Sequence, residues 1–157
     1  MHKRIIPSVQ QEAAPWHQDW LNIEGLAAVE ITSEDPAHPI ESALLPSRAP
    51  GWRAEGPGKQ TIRLLFAHPQ RLRRIWLSFV EPVTERTQEY VLQWSSDDGQ
   101  SFREIVRQQW NFSPRGATSE TEDHHVELSA VTILELSITP DITGGDAFAS
   151  LAELRLA

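Results

Sequence analysis

The residue pair Asp98-Gly99 lies between two runs in which apolar and polar residues alternate, and it constrains the fold more than any other feature. This pair tolerates the positive φ angles that a tight turn between antiparallel strands requires. Before the turn, Tyr90, Leu92 and Trp94 share one face of a strand, because successive side chains point to opposite faces. Residues 101–112 follow as a second candidate strand. The sequence therefore predicts a β-hairpin centred on this pair.

Runs with the character of strands recur along most of the chain, separated by turn residues such as Pro and Gly. They predict strands over residues 26–32, 59–66, 71–80, 87–96, 101–112, 120–128, 131–139 and 150–156. Residues 1–25 show no sustained period and are expected to form an extended lead-in that packs on a domain formed by residues 26–157. Helical turns are expected only in this lead-in and in residues 40–45. Many short strands without intervening helices are typical of an antiparallel sandwich or barrel, so we predict an all-β fold.

Two of these runs indicate which face is buried. Alternation groups apolar residues on one face of each run and predicts that this face packs in the core: Ile75, Leu77 and Phe79 in the first, and Leu134, Leu136 and Ile138 in the second. The opposite faces carry Arg74, Trp76 and Ser78 in the first run, and Glu135 and Ser137 in the second. The apolar faces together suffice for one core between two sheets.

Composition and charge restrict the function. A chain of 157 residues fits one domain, and it contains no cysteine, which excludes disulfides and thiolate metal sites and favours a reducing compartment. The formal charge of −8 argues against sequence-independent nucleic-acid binding, which needs a basic surface. No run approaches the roughly 20 apolar residues of a membrane span, and the basic start 1–7 is not followed by the apolar core of a secretory signal. We therefore expect a soluble, cytoplasmic protein without a nucleic-acid partner.

Several segments resemble a known family. Residues 90–102 resemble the strand, Ser-x-Asp-Gly turn and aromatic strand of discoidin-like domains, which are jelly rolls related to galactose-binding domains. Gly51-Trp52-Arg53-Ala54 is similar to the early tryptophan of that family, and residues 72–79 and 149–156 resemble later strands in the expected order. The resemblance covers residues 26–157 and implies a β-sandwich of jelly-roll type with about eight strands, the class that the alternation predicts independently. Such domains bind carbohydrates, lipids or proteins and are occasionally parts of enzymes, so the fold does not choose among these functions.

The same resemblance bears on metal binding. Many members of the family hold a structural calcium ion with an acidic loop side chain and a glutamate on the last strand. Glu153 matches the glutamate, whereas the loop 45–50 contains no carboxylate. Calcium needs several oxygen ligands, some of which backbone carbonyls can supply. We expect no cofactor, and Glu153 is the candidate ligand if the calcium of the family is bound.

A sugar-binding site needs an aromatic platform for the C–H face of the sugar and polar side chains for its hydroxyl groups. Trp110, Asn111 and Arg115 supply such a set at the end of the second hairpin strand, and Arg107 and Gln109 add donors nearby. We therefore predict a non-catalytic carbohydrate-binding or glycoconjugate-binding domain with its site at these residues. The alternative is that Trp110 fills the core and Asn111 caps the strand end.

Two other functions remain open. Trp16 and Trp20 in the lead-in either plug the sandwich or form an exposed patch, and an exposed aromatic patch is typical of an intracellular protein-interaction or assembly module. Glu120 and Glu122 share a strand face about 7 Å apart, and this pair alone supports a glycoside-active enzyme. The adjacent pair His124-His125 cannot chelate one metal ion, because neighbouring side chains of a strand point to opposite faces.

Overall fold

The computed structural model describes residues 1–4, 19–46 and 51–157. Its elements are mostly strands, which confirms the all-β class. In chain order they are α1 (Ile23–Leu26), β1 (Ala27–Ile31), α2 (Glu41–Leu44), β2 (Trp52–Pro57), β3 (Gln60–Val80), β4 (Arg86–Ser95), β5 (Arg103–Phe112), β6 (Ser119–Thr139), β7 (Phe148–Leu151) and β8 (Glu153–Leu156). The helices are single turns, one at the end of the lead-in and one within residues 40–45, as predicted.

Two long strands, β3 and β6, replace four predicted ones. Each has 21 residues, and they pair antiparallel with each other. The predicted break at His68-Pro69 is wrong because register shifts between Leu65 and Arg74 absorb the irregularity without ending the strand. Proline lacks an N–H group, and a bulge of this kind accommodates it. The last predicted strand, 150–156, divides into β7 and β8, and β2 was not predicted.

The long strands contribute to both layers of an antiparallel sandwich. The larger layer has the strand order β1-β3-β6-β4-β5. In the smaller layer, β8 pairs with residues 75–78 of β3, and the other side of these residues pairs with residues 121–124 of β6. Strands β2 and β7 pair with each other as a separate ribbon. This is the two-layer arrangement that the strand pattern predicted.

The core lies between these layers. The predicted inward residues of β3 and β6 are all buried, which confirms that part of the assignment: Ile75, Leu77, Phe79, Leu134, Leu136 and Ile138. Trp76 and Ser78 on the opposite face of β3 are buried as well, and the expectation that Glu135 of β6 points outward is wrong, because it is only 5% exposed. Glu135 is enclosed because Arg63 and Gln93 donate to its two carboxylate oxygens from neighbouring strands. Buried charge of this kind persists when it is paired and hydrogen-bonded.

The hairpin is confirmed, although its connection is longer than the tight turn predicted. β4 ends at Ser95 and β5 begins at Arg103. Asp98 and Gly99 adopt positive φ angles of 58° and 91°, as the turn prediction requires. The carboxylate of Asp97 accepts hydrogen bonds from the hydroxyls of Ser95 and Ser101, and from the Ser101 N–H. These bonds, led by the Ser101 hydroxyl, lower the pKa of Asp97 to about 2.

The described end of the lead-in contacts the domain. The Leu21 N–H donates to the Leu156 carbonyl at 2.8 Å, and the guanidinium of Arg74 lies 5.1 Å from the Trp20 ring centroid. Trp16 lies outside the described residues. No helix within the described parts of the chain is long and apolar enough to cross a bilayer.

Candidate functional site

The predicted sugar-binding residues of β5 do not share one face. Arg107, Gln109 and Asn111 alternate on the exposed face, whereas Trp110 points to the core side with the buried Phe112. The indole of Trp110 is half-buried and packs against the core, and its Nε1 atom has no hydrogen-bond partner among the described residues. Adjacent residues of a strand cannot place their side chains on one face, so alternation separates Trp110 from its polar neighbours.

The exposed polar groups of β5 are largely engaged. Arg107 donates to Glu89 at 2.7 Å and to Glu104 at 2.9 Å, and Gln109 donates to the other oxygen of Glu89. The hydroxyl of Thr87 donates to Oδ1 of Asn111 at 2.6 Å. A ligand that used these groups would have to replace bonds within the protein.

A shallow groove of about 410 Å³ brings together part of the predicted set. Gln109, Trp110 and Asn111 line it together with Ala117. Arg115 is exposed on the following turn and is not part of this lining, and neither is Arg107. Sugar binding at the end of β5 therefore stays a prediction, with three of its five residues in one groove.

Glu153, the candidate calcium ligand, lies on β8. Its Oε2 atom is 3.3 Å from Nη2 of Arg155, so a cation of the protein already faces this carboxylate. Within the described ranges, no three side chains of His, Asp or Glu are grouped as metal ligands. Residues 47–50 of the loop considered above lie outside the described residues. Calcium binding by Glu153 stays a prediction.

Glu120 and the half-buried Glu122 share the core side of β6. Glu120 is only 2% exposed, and Gln88 donates to its Oε1 atom at 3.3 Å. Burial first, and then the neighbouring carboxyl of Glu122, raise the pKa of Glu120 to about 8. The Oε2 atom of Glu120 is buried and has no hydrogen-bond partner among the described residues. Glu120 is therefore enclosed in the sandwich, whereas a glycosidase needs both of its carboxyls at the bond that it cleaves.

The two adjacent histidines point to opposite faces, as predicted. His124 is directed inward, and its Nε2 atom lies 2.7 Å from the Tyr90 hydroxyl. His125 is exposed on the other side, with Nε2 3.7 Å from a carboxylate oxygen of Asp123. Burial lowers the pKa of His124, because it disfavours the charged imidazolium. This separation excludes a metal site formed by the two rings together.

A different groove, of about 320 Å³, lies where the loop before α2 meets β2 and β7. We call it the His38 groove. It is lined by His38, Gly51, Trp52, Arg53, Val80, Glu81, Pro82, Phe148, Ser150, Leu151 and Ala152. Its residues come from segments far apart in the chain.

Backbone pairing explains how the loop reaches β2. The Asp35 N–H donates to the Arg53 carbonyl at 2.9 Å, and the Arg53 N–H donates to the His38 carbonyl at 3.2 Å. The His38 N–H closes the turn onto the Asp35 carbonyl at 2.8 Å. Pro36 presets the φ angle at the second position of this turn. The side chains of His38 and Arg53 are therefore held next to each other.

Phe148 provides an aromatic surface in the same groove. The guanidinium of Arg53 lies 5.2 Å from the Phe148 ring centroid, a cation–π distance. β2 and β7 pair antiparallel with Arg53 opposite Ser150, which fixes this arrangement. Trp52 packs beneath with only 1% exposure, and its Nε1–H donates to the Ser33 carbonyl at 3.1 Å. Trp52 is therefore part of the rigid support of the groove.

Two cationic or donor groups of this groove retain free hydrogen-bonding capacity. Arg53 is exposed, and its guanidinium makes no hydrogen bond or ion pair with any described residue. Nδ1 of His38 lies 3.2 Å from a carboxylate oxygen of Asp35, which orients the ring while Nε2 has no partner among the described residues. The Ala37 N–H, followed by His38, lowers the pKa of Asp35. An aromatic face beside open donors can hold a ring that carries hydroxyl groups.

Sequence reasoning missed the His38 groove. Trp52 and Arg53 were interpreted only as the early tryptophan segment of the family, and neither His38 nor Phe148 was assigned a role. The available signals were the Asp35-Pro36 turn and the aromatic residue before the last strands. Neither signal shows that the turn docks on β2, because that contact depends on long-range pairing.

Comparisons with known proteins bear on the fold. The sequence matches no protein-family model and no curated protein. Among solved structures, the C-terminal domain of a chitobiase from Bacteroides fragilis superimposes with a TM-score of 0.63 at 16% identity, over 88% of this chain and 97% of that one. The β-sandwich of jelly-roll type is therefore confirmed as the fold of this chain.

Two other matches show how varied the proteins with this fold are. A family 32 carbohydrate-binding module from Clostridium perfringens, in complex with GalNAc-β-1,3-galactose, has a TM-score of 0.56 at 20% identity, over 85% of this chain and 96% of that one. Reduced XRCC1 bound to the catalytic domain of DNA polymerase β has a TM-score of 0.61 at 14% identity, over 84% and 95%. The fold of this chain thus occurs in sugar-binding and in protein-binding domains.

Proposed function

We propose that this chain is a non-catalytic carbohydrate-binding module whose ligand occupies the His38 groove. The observation that carries the proposal is the exposed Arg53 guanidinium, which lies against Phe148 and beside His38 and makes no hydrogen bond or ion pair with a described residue, although its charge, after the Ala37 N–H and His38, helps to lower the pKa of the nearby Asp35. A surface cation usually gains little from pairing within its own protein, so an open guanidinium remains available to a ligand. The fold adds support, because several of its structural neighbours are carbohydrate-binding modules.

Each of the three side chains has a distinct part in this proposal. Phe148 offers its ring to the apolar C–H face of a sugar, and Arg53 donates to hydroxyl or carboxylate oxygens beyond the ring edge. His38 adds a donor or an acceptor through Nε2, because Asp35 occupies its other nitrogen. The backbone pairing of the turn with β2 holds these groups in place before the ligand arrives, which reduces the entropic cost of binding.

The neighbours suggest which probes to use. Family 32 modules have been solved with galactose and with GalNAc-β-1,3-galactose, and one related module with 4,5-unsaturated mannuronic acid. The first two are neutral, whereas the third carries a carboxylate that a guanidinium binds well. We therefore choose galactose, N-acetylgalactosamine and a mannuronate oligomer. A preference for the acidic probe would identify Arg53 as an ion-pairing group.

The proposal that this chain is non-catalytic rests on the burial of the Glu120 carboxyl. Glu120 is only 2% exposed, so its carboxyl does not reach the glycosidic bond of a ligand outside the sandwich. Incubation with aryl-glycoside substrates should release no product above the rate in buffer. Hydrolysis that disappears in the variant Glu120→Gln would contradict this proposal.

Binding is tested by isothermal titration of the intact chain with each probe. We expect Arg53→Ala and Phe148→Ala each to weaken binding of the preferred probe about tenfold or more, equivalent to about 1.4 kcal/mol. Arg107→Ala is the matched control, because it removes an exposed arginine outside the groove. Circular dichroism verifies that all variants are folded. No binding of any probe would refute the proposal, and loss of binding only in Arg107→Ala and Asn111→Ala would move the site to β5.

A further inference from the structure

A second groove, which we call the β1 groove, lies between α1, β1 and α2 and shares no lining residue with the His38 groove. Its volume is about 420 Å³. Its floor is aliphatic and is formed by Ile23, Ala27, Val29, Ile31, Ile40, Leu44 and Leu45. No aromatic ring is among the lining residues, so the groove lacks the platform on which a sugar would stack. An aliphatic floor of this kind favours apolar side chains.

The groove runs beside an open sheet edge. β1 is the first strand of the larger layer and pairs only with β3. Apart from the Ala27 N–H, which donates to the Ile23 carbonyl, the described residues provide no backbone partner on the other side of β1. An unpaired edge of this kind can accept another strand through main-chain hydrogen bonds. Its five residues span about 17 Å, the length of an ordinary strand.

Negative charge surrounds the aliphatic floor. Glu24, Glu34 and Glu41 line the groove, and none of them forms an ion pair with a described cation. The Ile40 N–H donates to one oxygen of Glu34, whereas Glu24 and Glu41 are exposed in the first turns of the two helices. The whole chain has a formal charge of −8. This charge favours an occupant that carries Lys or Arg, and it opposes nucleic acid and anionic membrane surfaces.

We propose that the β1 groove binds an extended segment of another protein in which two aliphatic residues, two positions apart, have Lys or Arg two positions before and after them. The segment pairs as an additional strand with β1. Because residues two positions apart share a face, its aliphatic side chains lie over Val29 and Ile31 and its flanking cations reach the glutamates of the same groove. This partner site is separate from the proposed sugar site, so one module can hold a glycan and a protein at the same time.

The test uses a fluorescein-labelled synthetic peptide, Lys-Thr-Ile-Thr-Val-Thr-Lys, which carries its two Lys, Ile and Val on one strand face, and fluorescence anisotropy with the full chain. A peptide with Glu in place of every Lys controls for charge. A peptide with alternate backbone nitrogens methylated keeps the side chains but removes the N–H groups that strand pairing needs. We expect binding of the first peptide only, weakening as salt rises.

Variants of the rim locate the site. The double variant Glu24→Lys with Glu41→Lys should weaken peptide binding about tenfold or more, because it reverses two charges beside the groove. Two charge reversals elsewhere, Glu55→Lys with Glu127→Lys, change the net charge equally and should alter binding by less than about twofold, since both residues are exposed outside the groove. Galactose titration of each variant reports independently on the sugar site.

The proposal is overturned if the basic and acidic peptides bind equally well, or if neither binds. It is also overturned if the methylated peptide still binds, or if the two double variants weaken binding to the same extent. Binding to vesicles of phosphatidylserine but not to the peptide would identify a membrane surface instead. Concentration-dependent dimerisation in sedimentation, abolished by the rim variants without any peptide binding, would identify a second copy as the occupant.

Discussion

Replacing Glu120 with Gln should remove a pH dependence from the stability of the domain. The substitution keeps the size of the side chain and the acceptor oxygen used by Gln88, but it removes the titrating group. In the folded chain, burial and Glu122 raise the pKa of Glu120 from 4.5 to about 8. The folded state therefore holds a proton that the unfolded state releases at pH values between these two.

This difference in pKa sets the sign and the size of the change in unfolding free energy with pH. Because the pKa is raised on folding, the stabilising contribution of the proton is present at low pH and is lost as pH rises from 4.5 through about 8. Within that window one proton contributes a slope of about 1.36 kcal/mol per pH unit. Between pH 5.5 and 7.5 the wild type should thus lose about 2–3 kcal/mol relative to Glu120→Gln.

Urea unfolding at half-unit steps from pH 5 to pH 9 measures this difference directly. Subtracting the wild-type curve from that of the variant cancels the titration of groups that behave alike in both proteins. Glu127→Gln is the control on the same strand, because that side chain is exposed. Its free energy of unfolding should run parallel to that of the wild type.

A raised pKa of Glu120 is refuted if the unfolding free energies of Glu120→Gln and the wild type also run parallel across this range. It is refuted equally if the variant becomes less stable relative to the wild type as pH rises. The first result would mean that Glu120 keeps an ordinary pKa in the folded chain, and the second that its charged form is the one stabilised. Infrared spectra of the carboxyl band at pH 6.5 provide a second measurement, because a protonated carboxyl absorbs at a different frequency from a carboxylate.

Two further predictions concern the support of the His38 groove and of β8. In thermal unfolding, Gly51→Ala should lower the unfolding free energy by about 1–3 kcal/mol, because the added Cβ would overlap the Leu151 carbonyl. Gly56→Ala is the control and should change it by less than about 1 kcal/mol, because there is open space around Gly56. Arg155→Met should cost about 2–4 kcal/mol in urea unfolding, because the buried guanidinium donates to the carbonyls of Ala43 in α2 and of Leu45 just after it. A cost near zero would show that these carbonyls find other partners.

The strands were predictable because alternation is a local property. The core faces of β3 and β6 and the hairpin at Asp98-Gly99 follow from neighbouring residues alone. The continuity of the two long strands was not predictable in this way. His68-Pro69 is a strong local break signal, yet pairing with β6 on both sides of it keeps β3 in one piece.

The candidate site was less predictable than the fold. Trp110 and Asn111 are adjacent in the sequence, but strand geometry sends their side chains to opposite faces. His38, Arg53 and Phe148 are distant in the sequence, but the docking of a turn on β2 and the pairing of β2 with β7 bring them together. Burial of Glu120 likewise depends on the opposite layer of the sandwich. Each of these features is set by long-range contacts that a local pattern does not contain.

The central claim is that a sugar binds in the His38 groove, and amide NMR with stepwise addition of galactose, N-acetylgalactosamine or a mannuronate oligomer tests it most directly. The predicted result is that the largest shifts occur at His38, Arg53 and Phe148, with a response of the Trp52 indole N–H, which is bonded to the loop of the groove. The Trp110 indole signal should stay in place. Shifts confined to β5 and the Trp110 indole, or no shifts at saturating sugar, would contradict the account.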